Sequence, residues 1–178
     1  ADLDPQTAQQ TAAELPTHGL GLQLDVTKKT QVQEGVARTL AEFGQLDILG
    51  NNAGVLTYST FEDCSEETWQ LTLDINLKGT FLCSQAVISH MKERRQGAII
   101  NLSSLAAKNG GLAAGPPYAA AKAGVSALTI GLARYMAPHR VRVNAIAPGV
   151  IDTAMTRSPQ HEKMTATIPL GEKGQPED

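Results

Sequence analysis

Tyr118 and Lys122 are four residues apart, just after two consecutive prolines, and residues of these types can exchange a proton with a substrate. Pro116 and Pro117 suit the first turn of a helix, where a missing N–H group is not needed. On a helix, residues four apart lie on the same face. An ammonium group about 4 Å from a phenol stabilises the phenolate by up to ~4 kcal/mol, equivalent to roughly three pKa units. The sequence therefore predicts that Lys122 lowers the pKa of Tyr118 and makes it a general acid and base.

Taken alone, a Tyr-x-x-x-Lys pair is more typical of an exposed tyrosine and a solvated lysine. The helix around the pair is rich in small residues, which allow another helix to approach closely. That neighbouring helix could belong to a second subunit or to the same chain, and the sequence does not separate the two. The small residues are Ala119, Ala120, Ala121, Ala123 and Gly124.

The composition is that of a soluble globular protein, with 42% hydrophobic and 19% charged residues, and 178 residues predict one domain over residues 1–178. A net charge of -3 indicates neither a nucleic-acid nor an anionic-membrane surface. No apolar run approaches the ~18 residues of a membrane span, and the first residues do not resemble a signal peptide. Cys64 and Cys83 lack metal or redox spacing, so we expect reduced thiols, a cytoplasmic location and no metal.

Predicted strands and amphipathic helices alternate along the chain, which indicates an α/β fold with a parallel sheet covered on both faces. In such sheets ligands bind at the carboxyl ends of the strands. The predicted strands are residues 19–26, 46–52, 97–104 and 141–147. The predicted helices are residues 6–15, about 30–43, a long helix from Asp63 or Ser65 past residue 91, and 118–137. A loop is expected at 108–115, and a polar segment with one short helix at 153–178.

Three further polar residues lie where they could take part in chemistry. Asn76 falls on or beside the apolar stripe of the long helix, where a polar side chain must find partners or cost stability. Its role could be chemical, or it could cap or kink the helix through local backbone contacts. Ser103 and Ser104 end a buried strand and are rivals for a hydroxyl that contacts substrate.

With these residues identified, the chain resembles the short-chain dehydrogenase/reductase family along its whole length. Five signals in the right order carry the resemblance, and each is weak alone. They are Asn-Asn-Ala-Gly at 51–54, Asn76, Ser104, Tyr118 with Lys122, and Pro148-Gly149 followed by Thr153. The resemblance implies a doubly wound Rossmann-type fold and hydride transfer between NAD(P) and a carbonyl or alcohol carbon.

The resemblance also implies roles for single residues. Tyr118 would be the general acid/base, and Lys122 would lower its pKa and hold the nicotinamide ribose. Ser104, the serine that the family pattern favours over Ser103, would hydrogen-bond the substrate oxygen. Asn76 would hold a water that relays protons from Lys122.

Cofactor contacts follow from the same resemblance. Asp2 would accept a hydrogen bond from the ribose 2′-OH and repel a 2′-phosphate, which favours NAD over NADP. Asp2 could equally be a solvated terminal aspartate. The other contacts implied for the adenine, the riboses and the carboxamide are Asp25, Val26, Asn52, Ala53, Gly54, Tyr118, Lys122, Pro148, Gly149, Ile151 and Thr153.

The sequence departs from the family pattern at both ends. The glycine-rich Thr-Gly-x-x-x-Gly-x-Gly loop is absent, and the chain begins where a second strand would end. The first strand, the first helix, most of the second strand and the last strand are expected to be missing, about 30 residues at the N-terminal end alone. We therefore expect a fragment of a longer protein, which would bind NAD poorly on its own because the NAD pyrophosphate would lack its helix N-terminus.

The sequence leaves several functions open. A sugar or polyol dehydrogenase and a 3-oxoacyl-thioester reductase both fit an enzyme that acts on a small alcohol or carbonyl substrate, and Asp2 favours the first. The alternative of another class is a catalytically inactive relative that binds nucleotide or acts as a scaffold. The resemblance further implies a homo-oligomer, a dimer or tetramer.

Overall fold

Three parallel strands form the centre of the computed structural model, which describes residues 1–178. They are β1 (Ile48–Asn51), β2 (Gly97–Leu102) and β3 (Val141–Ile146), in the order β1-β2-β3. Both strand pairs are parallel, and in their register Asn101 of β2 lies between Asn51 of β1 and Ala145 of β3. Each crossover between neighbouring strands is helical, as a parallel pair requires. The predicted parallel α/β arrangement is confirmed.

Seven α-helices accompany the sheet, and several begin or end where the sequence predicts. The Asp4 side chain accepts a hydrogen bond from the N–H of Gln6, Ser65 caps a helix through Thr68, and Gly44 ends another with φ 74°. The helices are α1 (Pro5–Ala13), α2 (Lys29–Phe43), α3 (Glu66–Leu73), α4 (Gly79–Arg94), α5 (Ala106–Asn109), α6 (Pro116–Met136) and α7 (Pro159–Thr165). Short 3₁₀ turns cover Ala137–His139 and Ala154–Thr156. None of the helices combines the length and the apolar character that crossing a bilayer would need.

The main core lies between the sheet and the two helices α4 and α6, which contact each other and the strands. Burying these apolar side chains fixes α6, and so fixes the direction in which its first turn points. The core residues are Val87, Met91, Ile99, Met136, Val141 and Val143.

The predicted strand at residues 19–26 does not form. Only Gln23 makes a bridge there, pairing with Asp2 in parallel. The N–H of Asp2 donates to the carbonyl of Leu22 at 3.0 Å, and the N–H of Leu24 donates to the carbonyl of Asp2 at 2.8 Å. A ladder needs a neighbouring segment of several residues, and here one residue lies alongside, so the alternating pattern remains extended without forming a strand.

The predicted long helix after residue 65 is divided into two α-helices by one wider turn. Residues Asp74–Lys78 form a π-helical turn between α3 and α4. Such turns insert an extra residue and often accompany functional positions. Asn76 lies in the middle of this turn.

Candidate active site

A cavity opens beyond the carboxyl ends of β2 and β3, where residues from four separate segments meet. Ser104 follows β2, Gly149 follows β3, Tyr118 lies in the first turn of α6, and His161 lies in α7. The first turn of α6 begins at Pro116 after the extended Gly115, as the two prolines predict. The remaining wall is formed mainly by apolar side chains, including Leu56, Leu105, Leu112, Val150, Met155 and Met164.

Tyr118 is half-buried in this cavity, beside Ser104. Burial raises the pKa of the Tyr118 phenol, and a hydrogen bond with the Ser104 side chain opposes that rise. The net direction differs from the sequence-based expectation that Lys122 lowers this pKa. The reason is physical, because removing the phenolate from water is the largest influence on the pKa of Tyr118, and the opposing contact comes from Ser104. Tyr118 is therefore a protonated phenol at neutral pH.

Lys122 is buried, with 5% of its surface exposed, so the alternative of a solvated lysine is wrong. Its Nζ donates a hydrogen bond of 2.7 Å to the carbonyl of Leu102, the last residue of β2. Burial lowers the pKa of the Lys122 ammonium to about 8. The contact with β2 holds the amine on the same side of α6 as the ring of Tyr118.

The two serines after β2 have different environments. The Ser103 hydroxyl is buried and bonded to the carbonyl of Lys122 at 2.9 Å and to the hydroxyl of Ser126 at 2.7 Å, so it fastens β2 to α6. The Ser104 hydroxyl lies in the cavity wall, where it accepts a hydrogen bond of 3.1 Å from the N–H of Ala106. Its own proton can point toward the Tyr118 oxygen, which is the contact that opposes the rise of the Tyr118 pKa.

Asn76 is fully buried in the π-helical turn. Its Nδ2 donates to the carbonyls of Thr72 at 2.9 Å and Val55 at 3.0 Å, which satisfies the amide locally and ties the loop after β1 to the helix. The Oδ1 atom has no partner and is buried. A Cβ atom placed on Gly54 would lie 2.8 Å from this Oδ1 and 3.6 Å from the Nζ of Lys122. Gly54 therefore separates an unsatisfied acceptor from the buried ammonium.

A methyl group at Gly54 tests this close packing. We expect Gly54→Ala to lower the free energy of unfolding by about 1–3 kcal/mol, because a buried side chain on a fixed turn must move. Gly50→Ala is the matched control, since nothing lies within 4 Å of a Cβ there, and it should change stability by less than about 0.5 kcal/mol. Thermal and denaturant unfolding measure both. Equal stability of the two variants would contradict the described contact.

The residues proposed for the adenine side lie in two loops. The Asp25 carboxylate accepts hydrogen bonds from the N–H and hydroxyl of Thr27 at 2.9 and 2.8 Å, and these bonds lower its pKa. The Val26 side chain packs against Gly79 at the start of α4. Asn52 and Ala53 follow β1 and are exposed.

The residues proposed for the nicotinamide side follow β3. The carbonyl of Pro148 accepts from the N–H of Leu105, and Gly149 is exposed with open space where a Cβ would be. Thr153 and Thr156 form a reciprocal cap, and Thr156 also donates to the carbonyl of Ile151.

Asp2 lies apart from these, exposed beside the segment that leads to Asp25. Its Oδ1 accepts a hydrogen bond of 3.0 Å from the N–H of Asp4.

Two groups of polar residues escaped the sequence-based prediction. In the first, Nδ2 of Asn51 donates to Asn101 at 2.8 Å and Ser84 at 3.0 Å, while Nδ2 of Asn101 donates to Thr129 at 2.8 Å. This buried network joins β1, β2, α4 and α6 beneath the site. The sequence feature that could have indicated this network is Asn101, an asparagine inside the apolar strand 97–102.

The second group is His161 with Ser158 and Tyr58. His161 is buried and hydrogen-bonded to both of the other residues. It lies in a polar segment without periodicity, so no sequence signal singled it out.

The chain was compared with known proteins. A family model described as short chain dehydrogenase matches residues 1–164. The chain is 38% identical over 183 residues to the BbsD subunit of (2S)-[(R)-hydroxy(phenyl)methyl]succinyl-CoA dehydrogenase from Thauera aromatica, covering 99% of this chain and 73% of that protein. It is 39% identical over 161 residues to the 3-oxoacyl-[acyl-carrier-protein] reductase FabG of Thermotoga maritima, covering 87% and 64%.

A third relative is the 3-alpha-(or 20-beta)-hydroxysteroid dehydrogenase of Mycobacterium tuberculosis (strain ATCC 25618 / H37Rv), 40% identical over 155 residues, covering 87% of this chain and 59% of that protein. Among solved structures, a short-chain type dehydrogenase/reductase from Mycobacterium marinum superposes with a TM-score of 0.92 at 31% identity. That match covers 98% of this chain and 71% of the other. The chain thus spans between 59% and 73% of the lengths of these proteins. The predicted Rossmann-type fold class is confirmed.

Proposed function

The chain belongs to the short-chain dehydrogenase family, and from this premise we propose that it transfers a hydride between NAD(P) and a secondary alcohol or ketone. Residues 1–178 would act as one NAD(P)-binding unit of Rossmann type. The observation that carries the proposal is that Tyr118 and Ser104 share one cavity, while the ammonium of the buried Lys122 lies 5.7 Å from the centroid of the Tyr118 ring. A buried ammonium whose hydrogen-bond partner is a backbone carbonyl and not a carboxylate is a costly arrangement, which favours a role in the chemistry of the site.

Tyr118 is proposed to be the general acid/base. Reduction of a ketone places negative charge on its oxygen, and a protonated phenol can deliver the proton that neutralises it. Burial keeps the pKa of Tyr118 above its ordinary value, so the proton is present at neutral pH. Ser104 is proposed as the second donor to the same oxygen, since its hydroxyl lies beside the phenol and can turn its proton from the Tyr118 oxygen to a substrate oxygen.

Lys122 and Asn76 are proposed to act behind the tyrosine. The charged Lys122 favours the phenolate that remains when Tyr118 has given its proton. The unpartnered Oδ1 of Asn76 needs a donor, and a water bound there would satisfy it. Such a water, close to Gly54 and Lys122, is proposed to relay protons from the lysine.

The residues present fit a nicotinamide dinucleotide. NAD(P), when bound, supplies or accepts the hydride. Lys122 is also proposed to hold the nicotinamide ribose, and Asp2 to accept from the adenosine 2′-OH, which favours NAD over NADP. Gly149 lines the cavity with open space where a Cβ would be, which lets a flat ligand approach the backbone. The remaining contacts are proposed for Asp25, Val26, Asn52, Ala53, Pro148, Ile151 and Thr153.

The cavity wall favours an apolar substrate. None of its residues is charged, and most are leucine, methionine, valine or alanine. A sugar or polyol would leave its hydroxyl groups without partners against such a wall. Two of the relatives are named for 3-oxoacyl and hydroxysteroid substrates, which also place a carbonyl or hydroxyl on an apolar body. We therefore favour an apolar ketone over a sugar.

A substrate panel with the full-length protein tests this proposal. We expect reduction of apolar ketones and 3-oxoacyl thioesters with NADH, with a kcat/KM at least about tenfold above that for oxidation of sugars and polyols, because one well-buried apolar group contributes ~1–3 kcal/mol to discrimination. NADPH should be the poorer cofactor. Absence of any NAD(P)-dependent turnover would favour the nucleotide-binding or scaffolding relative, and a preference for sugars would overturn the substrate class.

The proposal also covers how the subunits assemble and where in the cell the protein is found. Large apolar side chains are exposed on α3, α4 and α6, among them Trp69, Phe81, Ile130 and Tyr135. Apolar patches on neighbouring helices favour contact with another subunit. We propose a homotetramer or dimer in the cytoplasm. Of the small residues on α6, Gly124 packs against Leu77 of the same chain, while Ala120 and Ala123 are exposed.

A further inference from the structure

His161 forms part of the cavity wall but has no role in the proposed reaction. It lies in α7, and only 7% of its surface is exposed. Its Nδ1 is 2.9 Å from the Ser158 hydroxyl and 3.3 Å from the Tyr58 hydroxyl. The rings of Tyr58 and His161 meet edge to face, with centroids 6.0 Å apart and an interplanar angle of 79°. The imidazole is therefore held in one orientation from the Nδ1 side.

The hydrogen bonds around His161 favour one tautomer. The Tyr58 hydroxyl donates to the carbonyl of Met155 at 3.2 Å, so its proton is not available to His161. If Nδ1 carried no proton, its lone pair would face a lone pair of the Tyr58 oxygen. An unprotonated Nδ1 could accept only from the Ser158 hydroxyl, whereas a proton on Nδ1 can donate to the oxygens of both Ser158 and Tyr58, and the second arrangement satisfies both contacts. Nε2 is then left as an acceptor, and no group of the chain donates to it.

His161 lines the cavity together with Tyr118 and Ser104. Since Nδ1 is turned toward Ser158 and Tyr58, the opposite edge of the ring, with Nε2, is the edge left for the cavity. The other polar side chains on this part of the wall are already engaged as acceptors. Asn109 accepts from the N–H of Gly111, and Thr156 is bonded within its own turn.

We propose that His161 is a specificity-determining residue whose Nε2 accepts a hydrogen bond from a hydroxyl group that the substrate carries in addition to its reacting carbonyl. The ligand class is an apolar ketone with a second, distant hydroxyl. This inference rests on the proposed function for the identity of the cavity as the substrate site. A substrate with an ether or a second ketone at that position offers only lone pairs to a lone pair and is disfavoured.

The surroundings keep the imidazole neutral, as an acceptor must be. Burial and the nearby Lys173 lower the pKa of His161, while Glu162 acts in the opposite direction. Lys173 and Glu162 are themselves paired. At pH 7 to 8 the ring is therefore uncharged and its Nε2 lone pair is free.

Binding of matched probes to the full-length protein tests the proposal without requiring turnover. The probes are a chain-length series of ω-hydroxy-2-alkanones and the corresponding ω-methoxy-2-alkanones, measured by calorimetry at pH 7.5. Both probes in each pair carry an oxygen, but only the hydroxyl can donate. At the chain length that spans the cavity, we expect the hydroxy compound to bind about five- to tenfold more tightly than its methyl ether.

Variants assign any preference to His161. His161→Leu should make the two probes bind equally, whereas His161→Gln, whose amide oxygen can accept, should retain a part of the preference. His18→Leu is the matched control, because that histidine is exposed and pairs with Glu42 at the surface. If His161→Leu fails to fold, the double variant Tyr58→Phe and Ser158→Ala replaces it, and it should reduce the preference by freeing the tautomer.

Three outcomes would overturn the inference: equal affinities in the wild type at every chain length, a preference that persists in His161→Leu, or no binding of either probe. Because the readout is a dissociation constant, each outcome is independent of whether ketones are reduced. A protein that binds the hydroxy probe selectively but transfers no hydride would refute the proposed function and keep the role of His161 in binding.

Discussion

Tyr118→Phe is expected to lower kcat for ketone reduction by about a thousandfold while the dissociation constant of NADH changes by less than about threefold. The phenyl ring keeps the shape of the first turn of α6 and the contact with Lys122. It loses only the proton that the ketone oxygen needs, and general acid catalysis is worth roughly 10²–10⁴ in rate. Steady-state kinetics and NADH fluorescence titration on the full-length protein measure the two quantities.

Tyr135→Phe is the matched control for this experiment. Tyr135 lies on the same helix, is exposed, and has its ring below the ammonium group of Lys92. Removal of its hydroxyl should leave kcat unchanged within about twofold. Equal losses in both variants would indicate a general effect on α6, and full activity of Tyr118→Phe would remove Tyr118 from the mechanism.

Lys122→Met is expected to stabilise the protein and inactivate it. The pKa of Lys122 falls from 10.5 to about 8 on folding, because burial disfavours the ammonium. Such a shift corresponds to about 3 kcal/mol of destabilisation of the wild type at pH 7, which Lys122→Met removes. The variant also loses the hydrogen bond from Lys122 to Leu102, which contributes about 1 kcal/mol of stability. We therefore expect the free energy of unfolding to rise by about 2 kcal/mol, and kcat to fall by about a hundredfold.

The pH dependence of stability tests whether the buried ammonium of Lys122 is what destabilises the wild type. Below about pH 8 both folded and unfolded states carry the charge, and the full cost of burial applies. Between about pH 8 and 10.5 the unfolded state binds more protons, so the wild type gains stability as pH rises. The stability difference between wild type and Lys122→Met should shrink across this window, and the reductase activity of the wild type should fall above about pH 8.

Chemical denaturation at a series of pH values measures the difference. Lys29→Met, at an exposed position at the start of α2, is the control and should show no such pH dependence. A Lys122→Met protein that is less stable than the wild type at pH 7 would contradict the described burial of the amine.

Much of the fold could be predicted because its signals are local. The helix boundaries at Asp4, Gly44 and Ser65 follow from capping chemistry, which involves residues two to four apart. The parallel sheet follows from the alternation of apolar runs with amphipathic segments. The strand predicted at 19–26 failed because alternation describes a side-chain pattern and does not supply the neighbouring backbone that a ladder needs.

The candidate site, like the fold, could be predicted only where its signals are local. Tyr118 and Lys122 could be paired from sequence because one helix positions both. The direction of the pKa shift of Tyr118 could not, since it depends on how much protein covers the phenol. The π-helical turn at Asn76 and the contacts of His161 also depend on long-range packing, between residues 21 and 103 positions apart. No spacing rule encodes these contacts.

The central claim is that Tyr118 gives a proton to a ketone oxygen while a hydride reaches the adjacent carbon. The most direct measurement is mass spectrometry of the alcohol formed from an apolar ketone by the full-length protein with NADH in which both hydrogens at C4 of the nicotinamide are replaced by deuterium. We predict that the wild type forms an alcohol with one deuterium on the carbinol carbon, and that Tyr118→Phe forms almost none. An alcohol without carbon-bound deuterium, or an equal yield from the Tyr118→Phe variant, would contradict this account.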